Sequence, residues 1–161
     1  MNERHYWWVT AGRGYDWRWS DFFSEPALPE AYHWGGTWIR SALSFKRIEK
    51  MCKGDVIAAY EAGTGIVGLT VLAVGGYRNQ LDSPYNAFAL DTQHKVWLEQ
   101  AVPFATIRFL PNAMDTIEFV KVKRGTVFAV SPPGFAQIVT ALVAANPAQA
   151  EEIEIFLQRR T

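Results

Sequence analysis

Residues 56–74 read VIAAYEAGTGIVGLTVLAV. Val56 to Glu61 and Ile66 to Val74 are β-branched and aromatic. Ala62-Gly63-Thr64-Gly65 between them is the connection of two antiparallel strands. The second arm is apolar on both faces, which predicts a central strand covered on both sides. Gly68 inside it marks a bulge or a close backbone approach. Working outward, Tyr6 to Thr10 reads as a first strand that stops at Gly12 and Gly14. Val96 to Ala101, Ala105 to Leu110, Glu118 to Val122 and Thr126 to Val130 supply three or four more strands, and residues 75–95 read as a polar surface loop. No βα alternation is present. The pattern predicts an α+β fold, a small mixed β-pseudobarrel of five or six strands with flanking helices.

The helices carry their own signals. Asp21-Phe22-Phe23 fits a single turn. Ser44 is a natural N-cap for a helix with Phe45, Ile48 and Met51/Cys52 on one face, closed by Gly54. Ser131-Pro132-Pro133-Gly134 starts a second helix that aligns Phe135, Ile138, Val139, Leu142 and Val143. A last helix spans 146–160, with Asn146 as N-cap, Pro147 at its first position, Gln149 at the capping-box position and acids in its first turn. We read residues 1–161 as one domain.

Of 161 residues, 49% are hydrophobic and 20% charged, which excludes a disordered chain. The net charge of zero provides no overall field for a polyanion, so nucleic-acid contact requires a local patch. Arg40, Lys46, Arg47, Lys50 and Lys53 form one, opposed only by Glu49. Cys52 is the single cysteine, so no internal disulfide forms and no second thiol supports a metal site. With no hydrophobic leader and no apolar run of membrane-spanning length, the expectation is a cytoplasmic protein, a monomer, without metal or membrane association.

Catalytic signatures are missing. His5, His33 and His94 are scattered, and Gly12-Arg13-Gly14 lacks the third glycine and the βαβ setting of a dinucleotide site. The sequence therefore names no catalytic residue and no cofactor. The tryptophans are the unusual feature: Trp7, Trp8, Trp17, Trp19, Trp34 and Trp38 precede residue 39, and only Trp97 follows. Trp7 and Trp8, adjacent on a strand, must point to opposite faces. Trp17 and Trp19, two apart, share a side in extended chain. Trp34 and Trp38 flank Gly35-Gly36. Several indoles beside a polar rim suit a planar ligand such as a nucleobase, for which aromatic stacking contributes roughly 1–3 kcal/mol.

The order of these pieces resembles the EVE domains of the PUA superfamily, relatives of the YTH and ASCH domains. Tyr6-Trp7-Trp8-Val9, Trp34-Gly35-Gly36, Lys50-Met51-Cys52-Lys53-Gly54-Asp55, a strand ending at Tyr60 and Gly65-Ile66-Val67-Gly68 carry the likeness over residues 6 to about 77. Phe135 to Leu142 looks like the family's closing helix. The resemblance implies a non-enzymatic reader of a modified base, a methylated or hydroxymethylated cytosine or a methylated adenine, in DNA or RNA. By that resemblance the flipped base enters a pocket formed by Trp34 with Thr10 and Ala11, walled by Trp17, Trp19 or Trp38. Arg40, Lys46, Arg47 and Lys50 then track the flanking phosphates. The chain departs from the family in two places. Trp34-Gly35-Gly36-Thr37-Trp38-Ile39 stands where Trp-Asp-Gly-Val-Arg-Asn is common, and Thr10-Ala11-Gly12-Arg13 where Lys-Ser-Glu-Pro is common. Two alternatives stay open: an ASCH-like hydrolase of a modified nucleoside, for which Thr10, Lys46 and Glu49 are the candidates, and a protein-interaction domain.

Overall fold

The structure, a computed structural model, describes residues 4–12, 18–24, 32–34, 42–78, 86–122 and 125–159. In chain order the elements are β1 (Tyr6–Gly12), α1 (Trp19–Ser24), β2 (Tyr32–Trp34), α2 (Ala42–Lys50), β3 (Val56–Ala62), β4 (Gly65–Arg78), β5 (Asn86–Val102), α3 (Phe104–Ile107), α4 (Ala113–Thr116), α5 (Glu118–Lys121), β6 (Val127–Val130), α6 (Pro132–Ala145), a 3-10 turn at Pro147–Gln149, and α7 (Ala150–Gln158). One mixed sheet runs β2-β5-β4-β3-β1-β6. Among the described residues, β1 and β3 pair in parallel and the other neighbours are antiparallel.

The sheet is buried on both faces because its central strands alternate two sets of apolar residues. Trp8, Val56, Ala58, Ile66, Leu69 and Val71 join Phe135, Ile138 and Leu142 of α6 on one side. Trp7, Val9, Ile57, Ala59, Val67 and Leu72 join Trp19, Phe22 and Ile48 on the other. Trp7 and Trp8 thus point to opposite faces and both are core. Trp8 is fully buried between Tyr60 and Phe119, with ring centroids 4.7 and 4.6 Å away. Removing such a ring costs about 3–5 kcal/mol. Helix α2 touches β4, β5 and also β6. In a flat sheet β5 and β6, four strand spacings apart, would be separated by roughly 19 Å, beyond what one helix covers. The sheet must therefore curl around α2, and the edge strands β2 and β6 leave it open. This is the α+β, PUA-like arrangement the sequence predicts.

Curvature is introduced by bulges. Thr70 pairs with Lys95 and Leu72 with Leu90, so residues 91–94 of β5 face Val71 alone. Asp91 stabilises that protrusion by accepting the backbone N–H groups of Gln93 at 2.7 Å and His94 at 3.1 Å. Register also shifts at Gly68, where a Cβ would lie 2.4 Å from the Phe23 ring and from the Val96 carbonyl oxygen. The close approach predicted for Gly68 is found.

Three expectations are corrected. The expected loop over 75–95 is shorter, because β4 runs to Arg78 and β5 starts at Asn86; bulges absorb the polar residues. The expected strands Ala105 to Leu110 and Glu118 to Val122 are the short helices α3 and α5. Buried Ala113, Ile117 and Val120 are spaced four and three apart, as in a helix rather than a strand, and adjacent Phe119 and Val120 are both buried. Finally, helix starts are shifted. Helix α2 begins at Ala42, which places Ser44 inside it. Neither Asn146 nor Gln149 caps the start of the helix it precedes with its side chain. Asn146 instead accepts the Gln100 N–H at 2.7 Å and donates to the Gln100 carbonyl at 3.0 Å. Gln149 accepts the Glu99 N–H at 2.9 Å and donates to the Trp97 carbonyl at 2.8 Å. Strand β2 pairs only with Phe88 to Leu90, so these two amides satisfy β5 backbone groups that β2 does not reach. Ser131 does cap α6, accepting the Gly134 N–H at 3.3 Å.

Candidate functional site

The parallel pairing of β1 with β3 brings Thr10-Ala11-Gly12 alongside Tyr60-Glu61-Ala62. Thr10 and Ala11 are buried and point to opposite faces. The Thr10 hydroxyl accepts the Trp8 indole N–H at 3.2 Å. Gly12 has φ +98°, and a Cβ there would sit 2.9 Å from the Glu61 carboxyl carbon. Glycine at the end of β1 thus leaves the room in which the Glu61 carboxylate lies. Oε2 of Glu61 accepts the backbone N–H of Trp19 at 3.2 Å, which joins the strand ends to the start of α1. Burial pushes the Glu61 carboxyl above its ordinary range against the pull of the Trp19 N–H and Arg18, and nearby Asp21 adds to the rise. Trp19 is fully buried, and its indole N–H donates to the Val9 carbonyl at 3.0 Å. From it an aromatic run leads outward. Phe23 lies 6.0 Å from Trp19 and 5.0 Å from Trp97, and Trp97 is 46% exposed.

Helix α2 presents two unlike faces. Lys46, Glu49 and Lys50 are exposed, as is Lys53 in the turn that follows. Arg47 is buried, with its Nη2 paired to the Glu118 carboxylate and its guanidinium 5.3 Å from the centre of the Phe128 ring. Among the described residues its Nη1 has no hydrogen-bond partner. The phosphate role expected for Arg47 is therefore corrected. It shares the inward stripe of Ile48 and Met51 and ties α2 to α5 and β6, while Lys46 and Lys50 keep the solvent face.

No family model and no curated protein matches the chain. Solved structures do. Rpa0253 from Rhodopseudomonas palustris superposes with a TM-score of 0.68 at 20% identity, over 85% of this chain and 92% of that one. The human THYN1 protein in complex with 5-methylcytosine containing DNA gives 0.68 at 11% identity, over 86% and 97%. The DUF55 domain of human thymocyte nuclear protein 1 gives 0.66 at 13%, over 85% and 98%. The chain has an EVE-type, PUA-like fold.

In this EVE-type fold, Trp34 ends β2, with its backbone paired to Phe88. β2 is the edge of the sheet, separated from β1 by β5, β4 and β3, so only the curl of the sheet relates Trp34 to the end of β1. Trp17, Trp38 and Arg40 lie outside the described residues. The three groups considered for hydrolysis are dispersed: Thr10 is buried in β1, whereas Lys46 and Glu49 are on the exposed face of α2. Glu61 was missed by sequence reasoning. The signal available was a carboxylate closing an otherwise apolar strand, directly before the turn.

Two further features belong to the EVE-type scaffold. Among the described residues, His5, Cys52 and Asp55 form the group able to hold a metal ion, their ligand atoms lying within 4.8 Å of one another. Asp55, however, already accepts the His5 N–H at 3.0 Å on Oδ1 and the Trp7 indole and Cys52 N–H groups, both at 2.9 Å, on Oδ2. Oδ2 is filled, which leaves the set short of the four ligands of a structural zinc site. Between the β5 protrusion and α7 an open cleft of about 460 Å³ is lined by His94, Lys95, Glu151, Ile155, Phe156 and Arg159, among others. Its two walls are far apart in sequence, and charges of both signs border it.

Proposed function

We propose that this protein is a non-enzymatic nucleic-acid-binding module that reads a modified base, flipped from the stack into an aromatic pocket near the end of β1. The observation that carries this reading is the shared fold with the human THYN1 protein, solved in complex with 5-methylcytosine containing DNA, at a TM-score of 0.68 over 86% of this chain. Local chemistry supports it. The first 38 residues hold the tryptophans from which a cage is built, with Trp34 for the base and Trp17 or Trp38 for the walls. Trp19, fully buried, backs that pocket from within. Lys46 and Lys50, one helical turn apart on the open face of α2, supply cations for flanking phosphates. Extrusion of a base costs a few kcal/mol, which stacking and hydrogen bonds to the base edge offset.

Intrinsic tryptophan emission tests the proposal. Short oligonucleotides carrying 5-methylcytosine, 5-hydroxymethylcytosine or N6-methyladenine are titrated against their unmodified counterparts, as DNA and as RNA. Selective quenching by one modified oligonucleotide, lost in Trp34→Ala, is expected. Equal responses to modified and unmodified strands, or none, would overturn it.

A further inference from the structure

We propose that Cys52 and His5 form a binding site for one soft, thiophilic metal ion of the Cu(I) kind, with the Cys52 thiolate and a ring nitrogen of His5 as its two ligands. The site is independent of the base-reading function above. Cys52 stands in the turn after α2 and His5 directly precedes β1. Far apart in sequence, their ligand atoms and that of Asp55 nonetheless lie within 4.8 Å of one another. Asp55 brings them together. It accepts the His5 backbone N–H at 3.0 Å on Oδ1 and the Cys52 backbone N–H at 2.9 Å on Oδ2, so one buried carboxylate pins the backbone of both ligands. The two side chains stay available. That of His5 is 54% exposed, and its Nδ1 lies 3.8 Å from Oδ2 of Asp55, too far for a hydrogen bond. The half-buried Cys52 thiol donates weakly to the Lys50 carbonyl at 3.5 Å.

The donor set selects the ion. Asp55 is occupied by its N–H donors, so a thiolate and an imidazole are what the cluster offers. That pair supplies neither the oxygen-rich shell of Ca2+ or Mg2+ nor the complete shell of a structural zinc ion. Cu(I) is soft, favours thiolate and imidazole, and is satisfied by two ligands in a line. With bonds of roughly 2.3 Å to sulfur and roughly 2.0 Å to nitrogen, as for zinc, two such ligands stand about 4.3 Å apart across the ion. A separation within 4.8 Å is closed by a small rotation of the exposed His5 ring. Coordination exchanges the thiol proton for the ion: the S–H bond breaks, an S–Cu bond forms, the proton goes to solvent and no electron is transferred. The thiolate cancels the single charge of the ion. Bound there, the ion bridges the entry to β1 and the exit from α2, which Asp55 already joins.

The experiment titrates the untagged protein with Cu(I), under anaerobic and reducing conditions, against a chromogenic Cu(I) chelator, alongside Cys52→Ser and His5→Gln. Both substitutions keep the backbone N–H groups that Asp55 holds. Cys52 is the single thiol of the chain, so any thiolate signal is its own. Wild type should bind one ion per chain. Cys52→Ser should lose binding, and His5→Gln should bind at least about tenfold more weakly, since even the hydrogen-bond partner of a ligand is worth roughly 10–100-fold in metal affinity. In wild type alone, the ring carbon resonances of His5 should shift with one equivalent of the diamagnetic ion while those of the other histidines stay in place, a readout that needs no variant to fold. Equal affinity in wild type and His5→Gln, or an unmoved His5 ring, would show a thiol acting alone and overturn the proposal. Half an ion per chain, with two copies joined through Cys52, would overturn it too, as would binding that survives in Cys52→Ser or no binding by wild type.

Discussion

The indole N–H of Trp7 donates to Oδ2 of Asp55 across 2.9 Å, joining the first strand to the turn that follows the basic helix. The same carboxylate takes the backbone N–H groups of His5 and Cys52, so one side chain fixes both the entry to β1 and the exit from α2. Asp55→Ala would leave three donors without their acceptor. The Trp7 bond is buried and the His5 and Cys52 bonds are partly so; at about 1–3 kcal/mol for a buried donor so abandoned, and less for a partly solvated one, we expect a loss of about 2–4 kcal/mol. Asp55→Asn, which keeps one acceptor oxygen, should fall between that variant and wild type. Urea unfolding followed by tryptophan emission measures both, and an Asp55→Ala variant within about 1 kcal/mol of wild type would contradict the assignment.

The fold was legible wherever burial follows a single period. Tyr6 to Thr10, the hairpin of residues 56–74 and the stripe from Phe135 to Val143 appear where their periodicity puts them. The stretch from Phe104 to Lys121 misled because each helix there is only four residues long, too short for a 3.6-residue repeat to separate from alternation. Asn146 and Gln149 misled for another reason. Their local signature is that of a helix start, and only the tertiary structure shows the unpaired backbone of β5 competing for the same amides. At the site, the exposed lysines were legible and Arg47 was not, since a cation on an amphipathic helix looks the same in sequence whether or not a carboxylate waits behind it. Glu61 became visible only once β3 was laid parallel to β1.

The division of the α2 cations predicts different salt responses. If Lys46 and Lys50 contact phosphates, Lys46→Gln and Lys50→Gln should each weaken binding across all sequences and lower the salt slope by about one. Arg47→Met should leave that slope unchanged. Its stability should stay within about 1–2 kcal/mol of wild type, because an apolar side chain of similar length removes the buried guanidinium, and the Glu118 carboxylate left behind is 32% exposed and still accepts the Ala129 N–H. Titrations at several salt concentrations distinguish the three, and a slope that falls for Arg47→Met would return Arg47 to the binding face.

Asn146 is 3% exposed and makes hydrogen bonds to the Gln100 N–H, the Gln100 carbonyl and the Leu142 carbonyl. Asn146→Ala removes all three and exposes the β5 edge that β2 does not cover. We expect a loss of about 2–3 kcal/mol, together with faster hydrogen exchange at the Gln100 amide. Gln149→Ala, at an exposed site with the same geometry, should cost no more than about 1 kcal/mol and speed exchange at Glu99. Unchanged exchange at both amides would show that the helix, rather than its amides, protects the strand.

Opposite pKa displacements at Glu61 and Asp91 predict opposite pH behaviour. Burial raises the Glu61 carboxyl above 4.5, and the Trp19 N–H and Arg18 only partly offset it. At Asp91 burial also pushes upward, but the His94 side chain and the N–H groups of Gln93 and His94 outweigh it and hold the carboxyl below 3.8. A raised carboxyl favours folding while protonated, so its ionisation lowers stability as pH climbs through the folded value. Glu61→Gln should therefore be more stable than wild type at neutral pH, with the difference fading as pH drops below the unfolded value of about 4.5. For Asp91 the sign reverses. Its contribution is present above the unfolded value of about 3.8 and is lost as pH falls through the lower folded one. Asp91→Asn should be the less stable protein at neutral pH and converge on wild type in acid. Urea midpoints for the three proteins across the acidic range test both signs. A Glu61→Gln variant that is destabilised at neutral pH would mean that the Trp19 contact of the carboxylate outweighs the burial of its charge.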